Sequence, residues 1–285
     1  MGTGVEFLIE AEPGTESSAA MEAVEMEFRR FDVLLSRFRA DSELSVLNRC
    51  GALFAGPELL EVVELALAAR SRTGGRFDPT VHDAVVAAGY DRSFERLPAD
   101  TDEIGHPAGA RCGGGVTVDR RQSLIELEPG FRLDLGGIAK GYAVDHASDL
   151  LCHLGPCLVN AGGDLAVRGT LQGGGPWPVG VETSSGTITL ALSHGAMATS
   201  GRDRRYWRRG GEERHHLIEP STGRPAETDL LRVTVVARTA VEAEVHAKSL
   251  FLAGERDAVR EANELRVPCV LVTGDGRTVR AGGLS

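Results

Sequence analysis

The sequence predicts an α+β fold. Two observations carry that expectation. Strand-like runs and helical patterns come in blocks and not in strict βαβ alternation, and neither glycine signature of the parallel nucleotide-binding folds is present.

Along the chain, residues 16–38 place apolar side chains at Met21, Val24, Phe28, Phe31, Leu34 and Leu35, the three- and four-residue steps of an amphipathic helix. PELLEVVELALAAR (57–70) repeats the pattern, with Pro57 suited to a first helical turn. RTGGRFDPT leads into a short helix, followed by a polar, glycine-rich region to about residue 115. VTVDRRQSLIELEPG reads as two strands joined by a turn at 119–123. IAKGYAVDHASDLLCHL (138–154) is a helix behind a glycine pair. Strands are expected at CLVNAGG, DLAVRGT, WPVGVE, TITLAL, AMATSG, RHHLIEP and LRVTVVA. VEAEVHAKSLFLAG is a further helix, and PCVLVTGDG contains the last strand.

The 285 residues, 42% hydrophobic and 25% charged, match an ordinary soluble globular protein. No apolar run approaches the roughly 18 residues of a membrane span. MGTGVEFLIEAEPG carries no secretion signal, so a cytoplasmic location is expected. A formal net charge of −10 argues against nucleic acid or an anionic membrane as partner. The one basic run, GRDRRYWRRGGEER (201–214), contains acids and reads as a solvated hairpin. Five scattered cysteines fit a reduced set better than a disulfide framework, and none stands at zinc-site spacing.

Only two of the 31 basic residues are lysine, Lys140 and Lys248. Lys140 lies in LDLGGIAKGYAVD, which is no P-loop because Gly141 follows the lysine, and no dinucleotide fingerprint precedes it. The stretch does offer a carboxylate at Asp134, two glycines that allow close backbone approach, and a helix N-terminus that favours an anion. A plain turn with Lys140 facing water is the alternative. Thr199, Ser200 and Thr222 lie in no nucleophile elbow and read as hydrogen-bonding and turn residues.

LDLGGIAKGYAVD resembles the central motif of the ApbE family, the FAD:protein FMN transferases. MGT (1–3), LSRFRADSELSVLN (35–48), GGRFDPTV (74–81), NAGGDL (160–165), ATSG (198–201), HLIEPSTGRP (216–225) and LRVTVVARTAVEAE (231–244) resemble family elements in the same order, covering nearly the whole chain. The resemblance implies one domain over 1–285, an α+β fold similar to two joined T-fold-like halves, and a reaction on FAD. With Mg²⁺, such enzymes cleave the pyrophosphate and move FMN onto a Thr or Ser hydroxyl of a target flavoprotein, releasing AMP. Two other readings stand beside it: a non-catalytic FAD-binding protein with a degenerate metal site, and an FAD pyrophosphatase that uses water.

Carried over by position, the resemblance implies FAD contacts at Met1, Phe38, Arg76, Phe77, Asp78, Asp134, Lys140 and Ile218. Phe38 and Phe77 offer aromatic faces to ring systems. Asp134 suits ribose or flavin donors, and Lys140 suits phosphate. His216 is the candidate general base, with a structural histidine as the alternative.

The family's metal site pairs an Asp on the late helix with a Thr four residues on, where this chain has Glu244 and Lys248. Glu244 and the Gly137 carbonyl are the remaining metal candidates, since a protonated lysine has no lone pair to give. Lys248 is therefore read as a phosphate-side cation that replaces Mg²⁺, against the alternative of a surface i,i+4 pair with Glu244. After FDPTV the family tends to have Gly-Pro and later Trp, and here His82-Asp83 and Ala88 stand instead.

Overall fold

Seven antiparallel strands form the central sheet, in the order Val5–Ile9, Cys157–Ala161, Asp164–Arg168, Gly195–Gly201, Leu230–Ala237, Cys269–Thr273 and Thr278–Ala281. This is a computed structural model, and it describes residues 3–12, 14–101 and 110–284. The mixed helices and antiparallel strands make the chain α+β, as expected. The helices are α1 (Thr15–Leu35), α2 (Glu43–Cys50), α3 (Pro57–Arg72), α4 (His82–Ala87), α5 (Ala139–Leu151), α6 (Ala240–Ala253) and α7 (Glu255–Leu265).

Both faces of the sheet are covered, so its inner strands are apolar on both sides. Val159, Ala161, Ala166 and Ala196 face a core shared with α1, α3, α5 and α6. Leu165, Val167 and Met197 face the opposite way, against Trp177, Val179 and Val181. Those three belong to the hairpin Trp177–Thr183 and Gly186–Leu192, whose first strand alternates buried and exposed residues. Small side chains at Ala143, Ala147 and Ala240 let α5 and α6 settle close to the sheet and to each other.

Where α5 crosses α6 the backbones nearly touch. A Cβ at Gly141 would lie 2.7 Å from the carbonyl carbon and oxygen of Ala240 and 2.8 Å from the nitrogen of Val241. Each helix then satisfies the other's free N-terminal donors. Asp145 of α5 accepts from the N–H groups of Ala240 (2.8 Å) and Val241 (3.0 Å), and Glu244 of α6 accepts from Gly141 N–H at 2.9 Å. Thr239 completes the α6 cap by accepting from Glu242 N–H.

Some elements differ from the sequence expectations. RHHLIEP splits between the strands Glu212–His215 and Ile218–Glu219. Helices α2 and α7 were not anticipated; α7 buries only Ala258 and Ala262, too small to register as an apolar stripe. The basic run does form a hairpin, Tyr206–Arg209 and Glu212–His215, but it is not merely solvated. Trp207 is buried and donates its indole N–H to the Ala88 carbonyl at 2.9 Å. Among the described residues no helix is long and apolar enough to cross a membrane.

The crossing makes a testable demand. In an exposed helix Gly→Ala stabilises by about 1 kcal/mol. At Gly141 the new methyl meets backbone, which cannot swing aside, and overpacking costs about 1–3 kcal/mol. Gly141→Ala is expected to lower the urea-unfolding free energy, and an unchanged or higher value would show that the helices separate freely.

Candidate functional site

The turn that enters α5 is built before the helix begins. Asn48, on α2, clamps Leu133 from both sides: its amide N–H donates to the Leu133 carbonyl at 2.8 Å and its oxygen accepts from the Leu133 N–H at 2.7 Å. Asp134 N–H donates to Pro79 O at 2.8 Å, and the Asp134 carboxylate accepts from Gly136 N–H at 2.7 Å. Ala139 N–H closes the first turn onto Leu135 O. Asp134, Gly136 and Gly137 are thereby fixed on the wall of a cavity of about 600 Å³, within the usual range of roughly 300–1,000 Å³ for cofactor sites.

Of the residues anticipated from sequence, the structure gathers Phe38, Asp134, Gly137, Lys140, His216, Glu244 and Lys248 around this cavity. Phe38 is 40% exposed despite its size, 5.5 Å from the Tyr90 ring. The Arg37 guanidinium lies over both rings, at 4.1 and 4.6 Å from their centres, and its Nε donates to Asp134 at 2.9 Å. Burial opposes ionisation of Asp134, yet the charges of Arg37 and Lys248 hold its carboxyl below the usual range. Ser42 steadies the loop after α1 by donating to Ser36 O and capping α2.

Lys140 points inward to a pair of carboxylates. Its ammonium contacts Asp164 and donates to Glu244 at 2.7 Å, with all three side chains largely buried. Burial pulls the lysine pKa down, but the two carboxylates more than offset it, and the group stays charged. Burial pushes the Glu244 carboxyl up against the pull of Lys140.

Lys248 stands over the Phe77 ring. Its expected alternative, an i,i+4 pair with Glu244, does not form, because Glu244 turns to Lys140 and Gly141. Among the described residues its ammonium makes no hydrogen bond or ion pair; its Nζ stands 5.5 Å from the centre of the Phe77 ring. Burial lowers its pKa, with Asp134 and Glu244 pulling the other way. Three polar atoms of cavity-lining residues, Arg37 Nη2, His216 Nδ1 and Arg232 Nε, are buried and lack hydrogen-bond partners among the described residues. Unpaired buried polar atoms are rare in folded proteins, and three converging on one cavity mark a place for a polar ligand. Burial, then the charges of Arg205 and Lys248, drive the His216 pKa well below the ordinary imidazole value, so the ring is neutral at pH 7.

Four other anticipated contacts do not line the cavity. Arg76 is engaged by Ser249 Oγ at 3.1 Å and by Glu261. Phe77 is buried beneath Lys248, and Asp78 is buried accepting from the N–H and hydroxyl of Thr80. Ile218 packs behind the wall with Val81, Tyr90 and Trp207. Met1 lies outside the described residues. Thr199 shares a 2.9 Å hydroxyl contact with Thr234, and Thr222 lies in a turn, as read from sequence. Reading the sequence missed Arg37, Tyr90 and Asp164. Asp164 was within reach, as the acid of NAGGDL, whereas nothing local marks Tyr90.

Mg²⁺ does not fit the residues expected to hold it. Glu244 is occupied by an ammonium and a backbone N–H. A Cβ on Gly137 would stand 2.8 Å from Lys248 Nζ, so a cation already borders the Gly137 backbone. Mg²⁺ requires oxygen ligands in near-octahedral array, and a charged lysine supplies none. Glu244 and Gly137, the residues expected to hold a metal, thus both stand beside lysine ammoniums, and among the described residues no group of three or more His, Cys, Asp or Glu could hold a metal ion.

A model of the ApbE family matches residues 1–271. An FAD:protein FMN transferase of Vibrio cholerae is 30% identical over 289 residues, spanning 97% of this chain and 86% of the relative. One from Salmonella typhimurium is 32% identical over 262 residues, 86% of this chain and 75% of the relative. Among solved structures, the ApbE protein of Thermotoga maritima superposes with a TM-score of 0.86 at 28% identity, covering 98% of this chain and 94% of that one.

The carboxylate pair around Lys140 sets a prediction. Removing one partner from a buried ion pair costs roughly 3–5 kcal/mol because the other is left unpaired. Lys140→Met is expected to lose stability on that scale at pH 8. Protonation of the orphaned carboxylates relieves the penalty, so the gap to wild type should narrow as pH falls towards 5. A gap that is constant across this range in urea titrations would show that Lys140 carries no such charge load.

Proposed function

The chain belongs to the ApbE family, and we propose on that premise that its cavity holds FAD for transfer of the FMN half onto a Thr or Ser hydroxyl of a target flavoprotein. The carrying observation is the convergence of Arg37 Nη2, His216 Nδ1 and Lys248 Nζ, none of them hydrogen-bonded among the described residues, on one cavity beside the glycine turn of α5. That cavity draws on residues from Gly4 to Lys248, which supports reading the chain as one domain. The five free cysteines support a cytoplasmic setting.

Phosphoryl transfer of this kind depends on positioning and charge neutralisation. The acceptor hydroxyl oxygen attacks the phosphorus of the FMN half. The bond from that phosphorus to the bridging oxygen breaks, and AMP leaves with the oxygen and its electron pair. The hydroxyl proton passes to His216 Nδ1, which is available because the imidazole is neutral and that atom has no partner among the described residues. Phe38 and Tyr90 offer a ring wall, with Arg37 holding both faces in place. Ile218 packs behind Tyr90 and Phe77 lies under Lys248, so both shape the cavity from outside it, while Arg76 and Asp78 lie off its lining.

This reading expects FAD to bind better than FMN or NAD, because the site takes the adenylate and pyrophosphate together; equal affinity for FMN in a fluorescence titration would count against it. His216→Ala is expected to leave FAD affinity nearly intact and to cut AMP release and covalent flavin on an acceptor by roughly 10²-fold or more. Because the imidazole pKa is depressed, wild-type turnover should stay level from pH 8 down to pH 6.5 and fall only below that. A fall centred near pH 6.5 would assign the proton to another group.

A further inference from the structure

We propose that Lys248 is a built-in counter-ion for the FAD pyrophosphate, so that this chain binds FAD without a divalent metal. The inference rests on the FAD reading above and adds how this chain neutralises the phosphates.

Position comes first. Lys248 lies one helical turn beyond Glu244 on α6, which sets both on the same side of the helix. Glu244 is drawn away by Lys140 and the Gly141 N–H, leaving the lysine unanswered. Its Nζ lies beside Gly137, so close that a Cβ there would stand 2.8 Å from it, and 3.3 Å from both the lysine Cδ and the Phe77 ring. The stem is therefore packed, and the charge is delivered to one place at the mouth of the α5 turn.

Charge comes second. An ammonium held in a partly buried cavity without an anion is unfavourable. Asp134 is the main carboxylate acting on it, and that residue is already paired with Arg37. The local arrangement is complete only when a further anion enters, and a phosphate meets a compact ammonium well. A divalent ion would have to share this space with Lys248 and compete with Lys140 for Glu244. Both lysines of an otherwise arginine-using chain thus lie on the wall of a single cavity, one satisfied by carboxylates and one waiting.

The test is an FAD titration by flavin fluorescence, in EDTA and in millimolar Mg²⁺, on the full chain and on Lys248→Met. Wild type is expected to bind FAD with affinities in the two buffers that agree within about twofold. Lys248→Met should lose roughly 10- to 100-fold in EDTA, the scale of one charged hydrogen bond. The apo variant should melt at a higher temperature than apo wild type, since an unpaired charge has been removed, and its melting point should rise less on adding FAD. That thermal readout also reports whether the variant is folded. Wild-type binding that appears only with Mg²⁺ overturns this inference and leaves the FAD reading intact. Unchanged affinity of a folded Lys248→Met in EDTA also overturns it. Failure of FAD to bind wild type in either buffer overturns both.

Discussion

The crossing of α5 and α6 is the constraint on which the site depends. Two carboxylates lock it reciprocally: Asp145 takes the first N–H groups of α6, and Glu244 takes the Gly141 N–H of α5. Such donors are free at any helix start, and burying them unsatisfied would cost about 1–3 kcal/mol each. The glycine is required because no side chain fits between the backbones. Once the helices are fixed this way, the turn at residues 133–138 has one course. Lys140 and Lys248, carried on different helices, then open onto the same cavity.

The lock also decides the electrostatics. Glu244 is used at the crossing, accepting from Lys140 and the Gly141 N–H, and so does not pair with the lysine four residues on. Lys140 is neutralised within the fold by two carboxylates, while Lys248 makes no ion pair among the described residues and stands over the Phe77 ring on the cavity wall. The Lys248 charge and Arg205 act on His216 after burial has already favoured its neutral form. One cation therefore acts twice: it adds positive charge to the cavity wall and it favours the neutral form of the nearby imidazole. Moving Glu244 would disturb helix docking, charge balance and the histidine together, so changes there are not expected to be additive.

Much of this was legible in the sequence where a local signal existed. The periodic apolar residues of α1 and α3 and most strands between Cys157 and Thr273 declared themselves by pattern, whereas the edge strand Thr278–Ala281 did not. LDLGGIAKGYAVD announced a ligand-facing turn by its glycines. Other features depend on residues far apart in the chain. Arg37 reaches Asp134 across 97 positions, and Tyr90 comes to Phe38 only because Trp207 and Ile218 back it. Arg76 and Ile218 sit in motifs whose neighbours line the cavity, and motif membership cannot say which side of the wall a side chain takes. The partner of Glu244 was misassigned for the same reason. Helical spacing offers Lys248, and tertiary packing supplies Lys140, which is better placed and shares Asp164.

The choice of lysine over arginine at both positions follows from space. Elsewhere this chain uses guanidinium groups, which are planar, broad and suited to forked contacts such as Arg277 on Glu255 and Asp275. Lys140 delivers one compact charge between Asp164 and Glu244 beside a helix crossing with no room to spare. Lys248 threads its stem between the Phe77 ring and the Gly137 backbone, where a planar group would meet one or the other. A guanidinium would also be harder to leave unanswered, because it carries five donors in a fixed fork and an ammonium three on a rotating head. An ammonium can wait for a single anion and turn its donors to meet it. The scarcity of lysine in this chain is thus a positional signal: it survives at the two places where a point of charge is needed and a plane does not fit.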